Sequence, residues 1–180
     1  MSETHRHFFA LLPEAHAAAR MEGAAQRLLS RHPRLGRPMP RARLHVSLNG
    51  LGLGLDPGEP RIRRAVRAAA EVRPPAFRVA FNRVATFGRG EGPRAVVLRG
   101  DEGVLGVDLL QTALHAALAE ACLVRRRPRA FEAHVTLVRG QGEVPETPVP
   151  TISWTVREFL LVHSIVGRGC YDVVARFPLA

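Results

Sequence analysis

The chain has no lysine: all 26 of its basic side chains are arginine. A GC-rich genome accounts for the choice of arginine over lysine. It does not account for the charge balance, because acidic residues number only 16 and the net charge is +10. That excess favours an anionic partner, with RNA or a nucleotide ahead of a membrane surface, since no segment reads as a lipid-binding amphipathic helix. Arginine also grips phosphate through a bidentate fork and stacks on bases. Cysteine is nearly absent too. Cys122 and Cys170 are the two in the chain. Without a C-x-x-C pair, a thiolate zinc site and thioredoxin-type chemistry are excluded. Both are expected as reduced, partly buried thiols. The histidines show neither H-x-x-x-H nor H-E-x-x-H spacing and the carboxylates are scattered, so no metal and no cofactor are expected. Long apolar runs are missing as well. Phe8 to Leu12 is short and closed by Pro13, too brief for a membrane span or a signal-peptide core. The expectation is a soluble, cytoplasmic, monomeric protein with no membrane partner.

What is present is enough for a real core. A chain of 180 residues that is 46% apolar supports one compact domain, or two small lobes sharing a core. His7–Leu12 reads as a strand, and the Ala-rich stretch from Pro13 to about Ser30 as a helix with Pro13 and Glu14 in the favoured first turn. Arg31–Arg43, with three prolines, reads as a loop. Leu44–Leu51 is a strand and Glu59–Val72 a basic helix ended by Pro74 and Pro75. Phe77–Phe87 begins by alternating and then slips in period near Arg83, which predicts a bulge. Arg94–Arg99 is a buried strand. Gly106–Ala121 is helical, with Leu109, Leu110, Ala113, Leu114, Ala117, Leu118 and Ala121 as its apolar stripe. Ala133–Val138 is a strand, Gln141–Pro150 a connector, and Ile152–Ser164 and Tyr171–Phe177 late strands joined by a Gly167-Arg168-Gly169 turn. Strands outnumber helices and several neighbours lie close enough to pair antiparallel, so the fold class is α+β. No domain linker is visible, and residues 1–180 read as one domain.

The informative pattern is a repeat. His45-Val46-Ser47-Leu48 returns as His134-Val135-Thr136-Leu137, 89 residues later. In an extended strand, residues i and i+2 share a face. His45 therefore projects with Ser47, and His134 with Thr136, while the intervening valines suit a packed face. Brought together, two imidazoles can act as general acid and general base, and two hydroxyls can donate to phosphate oxygens. His5, His7, His16, His32, His115 and His163 have no repeated context, and His7 reads as a strand-edge residue. Phe8 and Phe9 read as core rather than as platforms for bases.

These residues resemble the 2H phosphoesterase superfamily, named for two H-x-[ST]-x motifs, and within it the RNA 2′,3′-cyclic phosphodiesterases, historically called 2′-5′ RNA ligases. The likeness runs nearly end to end. Arg6 to Pro13 is similar to the family's first strand, Pro93 to Leu98 to its central strand, Phe131 to Arg139 to its second motif with a trailing arginine, and Gly167 to Leu179 to its last hairpin. The chain departs from the family at Ser47, where threonine is usual, at Ala133, where proline is common, and at Val97 and Leu98, where a tryptophan often stands. The resemblance implies a bilobal domain: two pseudo-symmetric lobes of antiparallel sheet, helices outside, a groove between. It also implies metal-independent hydrolysis of RNA 2′,3′-cyclic phosphate ends to 2′-phosphates, with 2′-5′ ligation in some members. His134 would be the base, His45 the acid, and Ser47 and Thr136 the phosphate donors. Arg139 would contact phosphate or stack on a base. Strand parity sets Arg139 on the other face from His134, so the strand must bend before it. The Arg125-Arg126-Arg127 and Arg129 cluster reads either as an RNA guide or as a solvated loop. Two other readings stay open: an RNA-binding module without turnover, and a phosphodiesterase acting on small cyclic nucleotides or an ADP-ribose cyclic phosphate.

Overall fold

The computed structural model of the protein describes residues 4–54, 58–88, 92, 94–126, 130–165 and 171–180. Nine strands and three helices follow in the order β1 (His5–Leu11), α1 (Ala15–Arg31), β2 (Arg37–Pro38), β3 (Val46–Leu53), α2 (Pro60–Ala70), β4 (Phe77–Phe87), β5 (Arg94–Arg99), α3 (Leu105–Glu120), β6 (His134–Gly140), β7 (Thr147–Val156), β8 (Glu158–Ile165) and β9 (Asp172–Pro178). The strands form one open sheet in the order β7-β4-β5-β6-β3-β1-β8-β9, with β2 added against β6. Every pairing is antiparallel. The α+β expectation therefore holds.

The sheet is two four-stranded halves joined at a narrow seam. β3 and β6 pair at a single position, Val46 with Val135, whereas the pairings inside each half run over five or more positions. The halves echo each other. In each, a strand leads into a helix and then into a motif strand that pairs back on the first: β1-α1-β3 and β5-α3-β6. The helices cross over. α1 packs on β6 and β7, and α3 on β3 and β4, so one core runs beneath both halves, holding Phe9, Met21, Val46, Phe81, Leu114 and Val135. On the opposite sheet face, Ala10, Leu160 and Val162 form a small second cluster with Phe8 and Tyr171. That face is the one not covered by helices.

Several expectations are corrected. Ile152–Ser164 is not one strand. Burial alternates through Ile152, Trp154 and Val156, is broken by exposed Arg157, and is continuous from Phe159 to Ser164. The change of period marks the boundary: β7 is the outer edge of one half, and β8 lies inside the other, between β1 and β9, and is buried along most of its length. β7 also starts at Thr147, inside the expected connector. Pro148 and Pro150 are tolerated there because an edge strand leaves one side unpaired. On α3 the buried stripe is Val107, Leu110, Gln111, Leu114 and Leu118; Leu109 is 62% exposed. Leu110, Leu114 and Leu118 of the expected stripe are therefore buried, but the buried face is rotated away from Leu109 and Ala113 towards Val107 and Gln111. Arg31–Arg43 contains the short β2 and one 3₁₀ turn. His7 is 1% exposed and stacks on His163 at 4.5 Å. Cys122 is exposed, not partly buried. Gly167-Arg168-Gly169, Cys170, Arg127 and Arg129 lie outside the described residues. The bulge expected near Arg83 is present, where the β4–β7 register shifts between Phe81 and Arg83. Among the described residues, no helix is long and apolar enough to cross a membrane.

Candidate active site

The seam between the halves is where the two motifs meet. Extending the antiparallel register by one residue on either side of the Val46–Val135 pair sets His45 against Thr136 and Ser47 against His134. The valines are fully buried in the core. Their neighbours therefore face the uncovered side, each histidine beside the other motif's hydroxyl.

Both histidines are held in the same way. His45 Nδ1 lies 2.8 Å from the Arg43 carbonyl oxygen, and His134 Nδ1 lies 2.8 Å from that of Glu132. A carbonyl only accepts, so in both rings Nδ1 carries the proton and Nε2 is left for chemistry. His45 Nε2 is 3.0 Å from Ser47 Oγ, which donates to it while the ring is neutral. The i−2 carbonyl is a backbone feature of both motif strands, so the repeat specifies ring orientation as well as ring identity.

Each motif strand bulges just past its motif. Between Val97 and Val96 of β5, the partner in β6 moves from Thr136 to Val138, so β6 carries one extra residue. Leu137 and Val138 are both buried and Arg139 returns to the exposed face. The bend required by strand parity is this bulge. β3 does the same: between Phe8 and Ala10 its partner residue moves from Gly50 to Ser47.

Arg139, His45 and Ser47 line one cavity of about 360 Å³, together with Arg6, Phe8, Arg43 and Tyr171. Its lining, among the described residues, contains three guanidinium groups and no carboxylate. Among the described residues, no carboxylate pairs with Arg6, Arg43 or Arg139. Two arginines on β4 and β5 are, by contrast, paired with carboxylates: Arg83 contacts Asp101 at 3.2 Å and Glu146 at 3.4 Å, and Arg99 contacts Glu132 and Glu146. Three guanidinium groups without a carboxylate partner thus converge on the cavity, where a phosphate group would be attracted. His134 and Thr136, half-buried, sit along the seam beside it; the His134 ring contacts Phe87 at 4.9 Å between centroids.

Sequence reasoning missed three residues here. Tyr171, the chain's one tyrosine, places its hydroxyl 3.2 Å from His45 Nδ1 and its ring edge-on to that imidazole. The Arg43 guanidinium lies 5.3 Å from the tyrosine ring centroid. Phe8, expected in the core, contacts the His45 ring at 5.1 Å and lines the cavity; Phe9 alone is core. The available signal was alternation, since β1 must send Phe8 and Phe9 to opposite faces.

Burial pushes the His45 pKa below its ordinary value, and the nearby His134, Arg139 and Arg43 charges act in the same direction against the raising effect of the Arg43 carbonyl. The consequence for stability has a definite sign. Unfolded, the ring regains its ordinary pKa near 6.5, so below that pH the unfolded chain binds a proton that the folded chain refuses. His45 therefore costs stability as pH falls below about 6.5. Replacing it with glutamine should lessen the fall in melting temperature between pH 7.5 and pH 5. An unchanged pH dependence would contradict the burial effect.

Comparisons with known proteins place the chain in a family. The model of the 2′-5′ RNA ligase superfamily matches residues 13–167. The crystal structure of E. coli LigT in apo form is 25% identical, with TM-score 0.75 and 99% of both chains covered. A second crystal structure, described as a phosphoesterase, is also 25% identical, with TM-score 0.77, covering 97% of this chain and 98% of its own. E. coli LigT complexed with 3′-AMP matches at 25% identity, TM-score 0.74 and 99% of both chains; other crystal structures of that protein hold ATP and phosphate. No curated protein matches the chain in sequence. The chain belongs to the 2′-5′ RNA ligase superfamily, and its chemistry is phosphoesterase or RNA ligase in type.

Proposed function

We propose that the protein hydrolyses the 2′,3′-cyclic phosphate ends of RNA to 2′-phosphates without a metal, through the two motif histidines. The observation that carries this reading is the mirrored lock on His45 and His134, each Nδ1–H bonded to the carbonyl two residues back, at the seam beside an arginine-lined cavity. Nucleotide and phosphate complexes of E. coli LigT support a nucleotide phosphate as the ligand.

The chemistry follows from the groups present. One imidazole takes a proton from water as it attacks phosphorus. The other protonates the ribose 3′-oxygen as the P–O3′ bond breaks, leaving the phosphate on the 2′-oxygen. Ser47 and Thr136 donate to the non-bridging oxygens, and Arg139 offsets their charge. A 5′-hydroxyl in place of water would form a 2′-5′ linkage by the same steps. The direct test is an oligonucleotide ending in a 2′,3′-cyclic phosphate, incubated with the protein in EDTA beside small cyclic nucleotides. Expected is a 2′-phosphate end, formed at the same rate as without chelator. No product from the oligonucleotide, with turnover of a small cyclic nucleotide, would reassign the substrate. Binding without any turnover would favour an RNA-binding module.

The family resemblance gives His134 the role of base and His45 that of acid. An acid must hold a proton, and burial disfavours it on His45 in the free protein. A bound phosphate anion reverses that bias, since a negative charge nearby favours the imidazolium. The pH profiles should separate accordingly. The alkaline limb of kcat/KM, which reports the free protein, should fall at lower pH than the alkaline limb of kcat, which reports the complex. If instead the acidic limb shifts between the two profiles, His45 is the base.

A further inference from the structure

A second cavity of about 410 Å³ lies where β3 and the segment leading into β6 separate beyond the seam, with α3 closing it. That volume is within the roughly 300–1,000 Å³ of small-molecule sites. Its polar wall is Asn49, Gln111, His115 and Arg125, and Phe131 supplies an aromatic surface. The local structure explains how these residues arrive. The bulge in β3 turns Asn49 towards the helix-bearing face, two residues after Ser47. Gln111 and His115 stand one turn apart on α3, and Phe131 precedes His134 by three residues. Gly50 lines this cavity and also the arginine-lined one. A Cβ at Gly50 would meet nothing within 4 Å, so no side chain stands at the strand position the two cavities share.

The hydrogen-bond inventory selects the ligand. Asn49 and Gln111 are 9% and 7% exposed. Asn49 Nδ2 and His115 Nδ1 are 3.1 Å apart, while Asn49 Oδ1 and His115 Nε2 are buried without a partner. With a neutral imidazole, this leaves one acceptor and one donor unused. Rotating the amide by 180° only exchanges which residue supplies which. An unused buried acceptor repels a phosphate, and two unused polar atoms disfavour a purely apolar ligand. A group with an N–H and a lone pair side by side satisfies both, and every nucleobase presents such a pair on its Watson–Crick edge.

We infer that this cavity receives the nucleobase of the nucleotide whose phosphate lies at the motif pair, held by the Asn49–His115 couple against Phe131. The inference rests on the proposed phosphate site. The base would enter past Gly50, and Asn49 and His115 would act as specificity-determining residues.

The test measures substrate binding and turnover separately. Nucleoside 2′,3′-cyclic phosphates of the four bases are compared with abasic ribose 2′,3′-cyclic phosphate in the wild-type protein. Nucleoside 3′-monophosphates and ribose 3-phosphate are compared by calorimetry. Bases should improve kcat/KM about tenfold or more over the abasic substrate, mostly through KM. Asn49→Leu should erase that advantage while leaving turnover of the abasic substrate unchanged. Hydrolysis at one rate for all five substrates overturns the subsite and leaves the phosphodiesterase reading intact. Base-dependent calorimetric binding without hydrolysis, lost in Asn49→Leu, supports the subsite and overturns the reaction. Should Asn49→Leu fail to fold, His115→Phe tests the same pair, and the wild-type comparison alone still decides whether the base is recognised.

Discussion

His45→Ala and His134→Ala should each lower turnover of a 2′,3′-cyclic phosphate substrate by roughly 10²–10⁴-fold, the usual worth of a positioned acid or base. The double variant should lose little more than the worse single one, because the two proton transfers serve one displacement and groups that act as a unit are not additive. KM should change less than kcat, since Arg139, Ser47 and Thr136 would still hold the phosphate. The variants should keep the wild-type fold. Both rings lie on the side of the seam opposite the core, whose Val46 and Val135 remain in place. Turnover and melting temperature, measured together, decide the matter. Near-normal turnover in either single variant sinks the two-histidine mechanism. Loss of turnover with an equally large loss of stability would assign the rings a structural role.

The repeat made the histidine pair legible because its information is local. H-x-[ST] in a strand fixes which side chains share a face, and the antiparallel seam needs only Val46 opposite Val135 to bring the copies together. Arg139 was half legible. Strand parity demanded a bend, and the bulge at Leu137–Val138 supplies it, but two adjacent apolar residues signal a bulge only once the partner strand is known. Tyr171 was not legible as a site residue, since it reaches His45 from 126 positions away through the β1–β8–β9 pairing order. Arg157 hid a boundary between two halves because strand propensity is high on both sides of it. Gln111 was hidden by its own polarity: a periodicity of apolar residues cannot count an inward-facing amide.

A single methyl group far from the histidines should cause the largest loss of stability. Gly36 has φ of +136°, a backbone conformation open to glycine alone, and a Cβ there would stand 2.1 Å from the Arg139 carbonyl oxygen. From the other side, a Cβ on Gly140 would stand 2.2 Å from the Leu35 carbonyl oxygen. The two glycines let the chain entering β2 lie directly against the end of β6, where Arg37 pairs with Arg139. Gly36→Ala combines backbone strain and overpacking, each worth roughly 1–3 kcal/mol, for an expected loss of about 3 kcal/mol. For a domain of this size that is a fall in melting temperature of roughly 6–12 °C. Gly58→Ala is the matching control, because its Cβ would meet nothing within 4 Å and its φ is unexceptional; its stability should change by less than about 1 kcal/mol. Since the backbone that must move carries Arg139, Gly36→Ala should also weaken phosphate binding at temperatures where the variant is still folded. If Gly36→Ala unfolds early yet binds phosphate as tightly as the wild type, the contact between β2 and β6 braces the fold without positioning the arginine.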